Sequence, residues 1–166
     1  MIKRSISIIL SFIMLICFVS VVFADGTVGI VPDGVPSFYP YYTTEYTIVS
    51  SSCTDGRANY ISIDTFTIVS TSTGKVSVSL SIETNAIMKK LGFTTLRVQH
   101  WNGSSWEDVW TKTDQYLYDT DFFPYVKTLS NMASNDYYRV SVDFYAKKGF
   151  LQVQTLTVVS NYILCQ

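Results

Sequence analysis

The chain holds a single histidine, His100, so any Ser–His–Asp or Cys–His machinery must run through that one residue. No Gly-x-Ser-x-Gly turn presents a nucleophile. A zinc site would draw its other ligands from Cys53, Cys165 and carboxylates, and none of these stand at ligand spacing. Asp119-Thr120-Asp121, with Asp114 just upstream, offers oxygen ligands for calcium. It lacks the glycine and the terminal glutamate of a calcium loop. The 13 acidic residues contain no pair that spacing selects for glycoside hydrolysis. His100 thus reads as a strand-end histidine beside a polar group, and the aspartates as a solvated loop. No catalytic residue, metal ligand or cofactor motif is expected, and the chain does not read as an enzyme.

The residue type with the most binding chemistry is tryptophan. All three lie close together, at Trp101, Trp106 and Trp110, around the turn signal Asn102-Gly103. A two-residue loop there would set apolar Val98 opposite Glu107. A four-residue loop, Asn102 to Ser105, opposes Trp101 to Trp106, His100 to Glu107, Gln99 to Asp108, Val98 to Val109 and Arg97 to Trp110. Cross-strand aromatic and Val–Val pairs each contribute a few tenths to about 1 kcal/mol, so the second register is favoured. Arg97, Gln99, Trp101, Trp106, Asp108 and Trp110 then share one face. Two readings follow. The face is an aromatic strip that stacks on sugar rings or anchors a protein partner, or it is buried and Arg97 covers Trp110 as a structural cation–π pair.

The elements that must position these side chains begin after a leader. Lys3 and Arg4 precede the uncharged run 5–23, which closes on Val22-Phe23-Ala24 before Asp25. Residues 1–24 therefore read as a signal peptide, with an uncleaved membrane anchor as the alternative. Ile16 before Cys17 is too bulky for lipoprotein cleavage. Without Lys3 and Arg4, ten of the 12 basic residues face 13 acidic ones, a net charge of −3. No basic tract remains for nucleic acid, or for an anionic membrane once the leader is gone. Cys53 and Cys165 would then meet in an oxidising compartment. A disulfide between them would close a long loop and stabilise by up to about 4–5 kcal/mol; two free thiols are the alternative.

Residues 25–44 carry Pro32, Pro36 and Pro40 with Phe38, Tyr39, Tyr41 and Tyr42, an arm or linker able to dock on the domain or extend a sheet edge. From 45 to 166 the period is two. Val76, Val78, Leu80 and Ile82 alternate with serines, and Tyr138, Val140, Val142, Phe144 and Ala146 alternate with Arg139, Ser141 and Asp143. Ile61 and Ile63 change phase to Phe66 and Ile68, and Leu151 and Val153 change phase to Leu156 and Val158, each suggesting a bulge or a change of sheet. Lys147-Lys148-Gly149 marks a turn. One short helical turn is expected over 86–91, capped by Asn85 and stopped by Gly92. The fold expected is an all-β, immunoglobulin-like antiparallel sandwich of seven to nine strands.

Two segments carry a resemblance. Met88-Lys89-Lys90-Leu91-Gly92-Phe93 leads into Leu96-Arg97-Val98-Gln99 and Asn102-Gly103-Ser104-Ser105-Trp106, and Tyr137-Tyr138-Arg139-Val140 runs on to Tyr145-Ala146-Lys147-Lys148-Gly149. Together they resemble uncharacterised small secreted proteins of clostridia-like Gram-positive bacteria. The second segment is also similar to the penultimate strand of immunoglobulin-like and fibronectin-like sandwiches, which opens on a tyrosine. The resemblance implies fold and compartment and carries no catalytic residue. The expectation is a secreted, non-catalytic module that binds a saccharide, cell wall or protein. A small hydrolase working through His100 and a membrane-active toxin are the alternatives.

Overall fold

A segment whose alternate side chains are apolar buries them most economically as a strand, with its polar residues turned outward. The computed structural model describes residues 41–54 and 59–166, and the central strands among them obey that rule. Among the described residues ten strands form: β1 (Tyr42–Thr43), β2 (Tyr46–Cys53), β3 (Ile61–Ser72), β4 (Lys75–Met88), β5 (Lys90–Trp101), β6 (Trp106–Leu117), β7 (Thr120–Ser130), β8 (Tyr137–Lys147), β9 (Val153–Ser160) and β10 (Ile163–Leu164). The proposed leader, Cys17, the three arm prolines, Phe38 and Tyr39 lie outside the described residues. Tyr42 and Thr43 of the arm pair with β3 and so extend one sheet.

The strands make two antiparallel sheets, one ordered β1-β3-β4-β7 and the other β2-β9-β8-β5-β6, with β10 continuing the pairing on β8. The architecture is a β-sandwich. Its core joins Phe66, Ile68, Val76, Val78, Leu80 and Ile82 of the first sheet to Phe93, Leu96, Val98, Val140, Val142 and Phe144 of the second. Phe93 meets Phe123 and Tyr125 edge-on across the layers, with centroids 5.8 and 5.1 Å away. Such edge-to-face pairs add to the area that the rings bury.

Bulges decide which side chains face where. The register slips between Ile63 and Thr65 in β3, as the phase change in the sequence suggested, and between Ile48 and Ser50 in β2. A third slip sets Val98 opposite Trp110 while Gln99 stays opposite Asp108, leaving Val109 of β6 as the extra residue. Both β2 and β6 are sheet edges, as is β7, which carries Pro124.

Three expectations are corrected. No helical turn forms over 86–91: β4 runs to Met88, and Lys89 alone separates it from β5. Met88 and Leu91 are fully buried, Ala86 packs on the core and Ile87 points out, so tertiary burial holds the segment extended. Six residues are too few to resist that as a helix. The phase change after Leu151 is no bulge either. Val153 faces outward, and the inward position is taken by Gln154, only 1% exposed. Finally, no disulfide joins Cys53 to Cys165. Cys53 pairs with Gln154, which faces Ala146 of β8, whereas Cys165 follows Leu164, which faces Tyr137. Those two β8 positions stand at opposite ends of the strand, roughly 30 Å apart at ~3.3 Å per residue. No disulfide spans that distance.

Candidate binding face

The β5–β6 hairpin turns through Asn102, Gly103, Ser104 and Ser105, and Trp101 pairs with Trp106 as the four-residue loop requires. Asn102 builds the turn. Its Oδ1 accepts from the backbone N–H groups of Ser104 (2.9 Å) and Ser105 (2.8 Å), and its Nδ2 donates to Glu107. This Asx-type closure holds the two indoles beside each other, with centroids 5.3 Å apart and planes tilted by 55°. Both tryptophans are half-buried.

A chain of polar contacts borders the pair. Gln99 Nε2 donates to Asp108 Oδ1 (2.8 Å), and Gln99 Oε1 accepts from Arg139 Nε (2.7 Å). The Arg139 guanidinium lies 4.4 Å from the centre of the Trp106 ring, a cation–π stack supplied by β8. Burial lowers the Arg139 pKa, and Asp108 opposes that effect. Arg97 Nη1 donates to Asp143 (3.0 Å), with Asp108 3.7 Å from its Nε, and Thr157 donates to the other Asp143 oxygen (2.8 Å). Tyr162 closes the far side, its ring 6.2 Å from Trp106 and edge-on to Tyr137.

Five of the six expected residues are thus gathered: Arg97, Gln99, Trp101, Trp106 and Asp108. Trp110 is not among them. The Val109 bulge turns Trp110 to the Val98 side, where it packs against the core, and leaves Val109 48% exposed. Arg97 faces Thr111, so neither the Val98–Val109 pair nor the Arg97–Trp110 pair forms. Arg139 and Tyr162 belong to the face and were missed. Arg139 stood in the outward phase of its strand, but nothing in the sequence says that β8 lies beside β5.

Trp110 instead lines an open cleft of about 390 Å³ at the β6–β7 edge, with Leu129, Met132, Tyr138 and His100. His100 Nε2 is 3.1 Å from Asp136, which is the polar neighbour expected for it, though the two are not aligned as a hydrogen bond. Elsewhere Asp119 is held by Lys89 (2.7 Å) and Asp114 accepts from the Tyr116 hydroxyl (3.2 Å).

Two phenols on the second sheet are shifted. Burial pushes Tyr138 up to about 12, against the pull of its hydrogen bond with the Ala133 backbone. Burial, then the bond to Asp114, pushes Tyr116 to about 12. The folded state holds these protons more tightly than the unfolded chain, whose phenols ionise near 10. Stability is therefore expected to fall as pH rises from 10 to 12 and to be insensitive to these groups below 10. An ultraviolet phenolate titration checks this: Tyr138→Phe should remove one late-ionising phenol. Full ionisation of all tyrosines near 10 in the folded protein would contradict it. No protein-family model matches the chain, and no curated protein matches it.

Proposed function

We propose that this protein is a secreted, non-catalytic module that binds a saccharide on the outer face of the β2-β9-β8-β5-β6 sheet. The observation that carries the reading is the Trp101–Trp106 pair, tilted and half-exposed, with the Arg139–Gln99–Asp108 chain along its border. Pyranose rings present an apolar C–H face and a rim of hydroxyls. Two indoles supply the first partner, and an amide, a carboxylate and a guanidinium supply the second. Secretion belongs to the same proposal, on the strength of Lys3-Arg4, the uncharged run 5–23 and Ala24. An immunoglobulin-like type is supported by Tyr138, second in β8, whose hydroxyl accepts from the Ala133 N–H (2.9 Å), a corner found in such sandwiches.

The test is retention of the full chain on cell-wall polysaccharide and on a glycan array. Trp101→Ala and Trp106→Ala should each weaken binding by about tenfold or more, as loss of a central aromatic anchor does, with the fold retained. Trp110→Ala should act the other way. It leaves binding in place and lowers stability by about 2–4 kcal/mol, because its ring packs against the core. Absence of binding to every polysaccharide, or binding indifferent to Trp101 and Trp106, overturns the proposal.

A further inference from the structure

The end of the sandwich opposite the Trp101–Trp106 hairpin has a different chemistry. At the tip of the β8–β9 turn, Phe150 is 91% exposed and Leu151 73%, the two most exposed large apolar side chains among the described residues. Ile87, in the last turn-ward stretch of β4, is 64% exposed, and Tyr118, between β6 and β7, is 66% exposed. The registers place these connections together. Lys147, last in β8, faces Lys90, first in β5, and Leu91 faces Leu117, last in β6. At ~4.8 Å between strands, the connections lie side by side along one rim.

Lysines border the apolar tips. Lys89 is neutralised by Asp119, at 2.7 Å. Lys90, Lys147 and Lys148 have no carboxylate at ion-pair distance among the described residues. Lys90 Nζ instead lies 3.6 Å from the centre of the Tyr116 ring, and Lys148 Nζ 5.7 Å from that of Tyr60. Lys90 and Lys147 stand directly opposite each other, an arrangement that destabilises a sheet when nothing negative lies between. Three cations and two protruding apolar side chains on one rim are complementary to one kind of surface. We propose that this end docks on an anionic lipid surface, with Phe150 and Leu151 entering the boundary between headgroups and acyl chains and the three lysines meeting lipid phosphates. The linear sequence has no basic tract, and for that reason reads as having no membrane partner. The fold assembles the charge from two separate connections.

The geometry also sets an orientation. β5 spans the molecule from Lys90 to Trp101, roughly 40 Å at ~3.4 Å per residue. The tryptophan hairpin therefore points away from the lipid.

Residues 5–23 are uncharged and mostly apolar, so the readout must be local to the tip. The full chain carrying Phe150→Trp is mixed with vesicles of brominated phosphatidylglycerol and phosphatidylcholine. The introduced indole should be quenched, and the three native tryptophans, at the far end, should not. Quenching should vanish on phosphatidylcholine alone. In co-sedimentation with the same vesicles, Phe150→Ser combined with Leu151→Ser should lower partitioning about tenfold or more. Lys147→Gln combined with Lys148→Gln should lower it severalfold. Lys148, Phe150 and Leu151 are exposed and Lys147 is half-buried, and an unchanged circular dichroism spectrum is the folding control. An unquenched indole, equal binding to neutral and anionic vesicles, or self-association through Phe150 without vesicle binding would each overturn the proposal.

Discussion

Replacing Gly92 by alanine is expected to cost the fold about 3 kcal/mol or more. A Cβ built on Gly92 would stand 2.0 Å from the carbonyl oxygen of Gln115 and 2.9 Å from the Cα of Tyr116. Both are backbone atoms of β6, so no side-chain rotation relieves the clash. Either β6 moves off β5 or the ladder distorts, and overpacking of this kind costs from about 1 kcal/mol upward. The flanking residues show why the approach is so close. Tyr116 and Tyr145 face Gly92 from either side, and their rings meet edge-on at 5.8 Å across it. The two tyrosines cover the gap that the glycine leaves. Urea unfolding of the alanine variant checks the prediction. A loss below about 1 kcal/mol would mean that the strands give way more easily than their packing implies.

A second large effect is expected at Gln154. Its Oε1 accepts from the N–H groups of Tyr60 (2.6 Å) and Ile61 (2.9 Å), and its Nε2 donates to Asn59 (3.3 Å). This one amide satisfies the backbone at the entry of β3 from inside β9. Gln154→Leu conserves much of the volume and leaves two buried N–H groups without an acceptor. The expected loss is about 2–5 kcal/mol, since each orphaned buried donor costs about 1–3 kcal/mol. Hydrogen exchange distinguishes this cause from simple repacking. The Tyr60 and Ile61 amides should lose protection out of proportion to the rest of β3. If they exchange no faster than their neighbours, the account is wrong.

The strands were legible because most have one buried face, and a half-buried strand writes its period into the sequence. The hairpin was legible out to Gln99 and Asp108 because Asn102-Gly103 fixes the loop and the aromatic pair fixes the register. Legibility stopped at Val109-Trp110. Two apolar residues in succession allow either phase, and only the partner surface chooses between them. Trp110 covers more apolar area beside Val98 than Val109 would, so the larger ring goes in and the valine is extruded. The helical turn over 86–91 failed for a related reason. Local propensity favoured it, yet burial of Met88 and Leu91 decided. Gln154 left no signal, because a lone polar residue in an inward phase looks like a phase error. The cysteines were close in expectation only because sequence carries no distance between strand ends.

The bulges and Pro124 have one more consequence. A sandwich with open sheets offers four rows of unpaired amides and carbonyls, each a template for another chain. Here β1 is two residues long, β2 is interrupted at Val49, β6 at Val109, and β7 carries Pro124, which has no amide hydrogen to give. Among the described residues, each interruption shortens the ladder that its edge could offer to a neighbour. Each of these devices opposes the pairing of strand on strand between molecules.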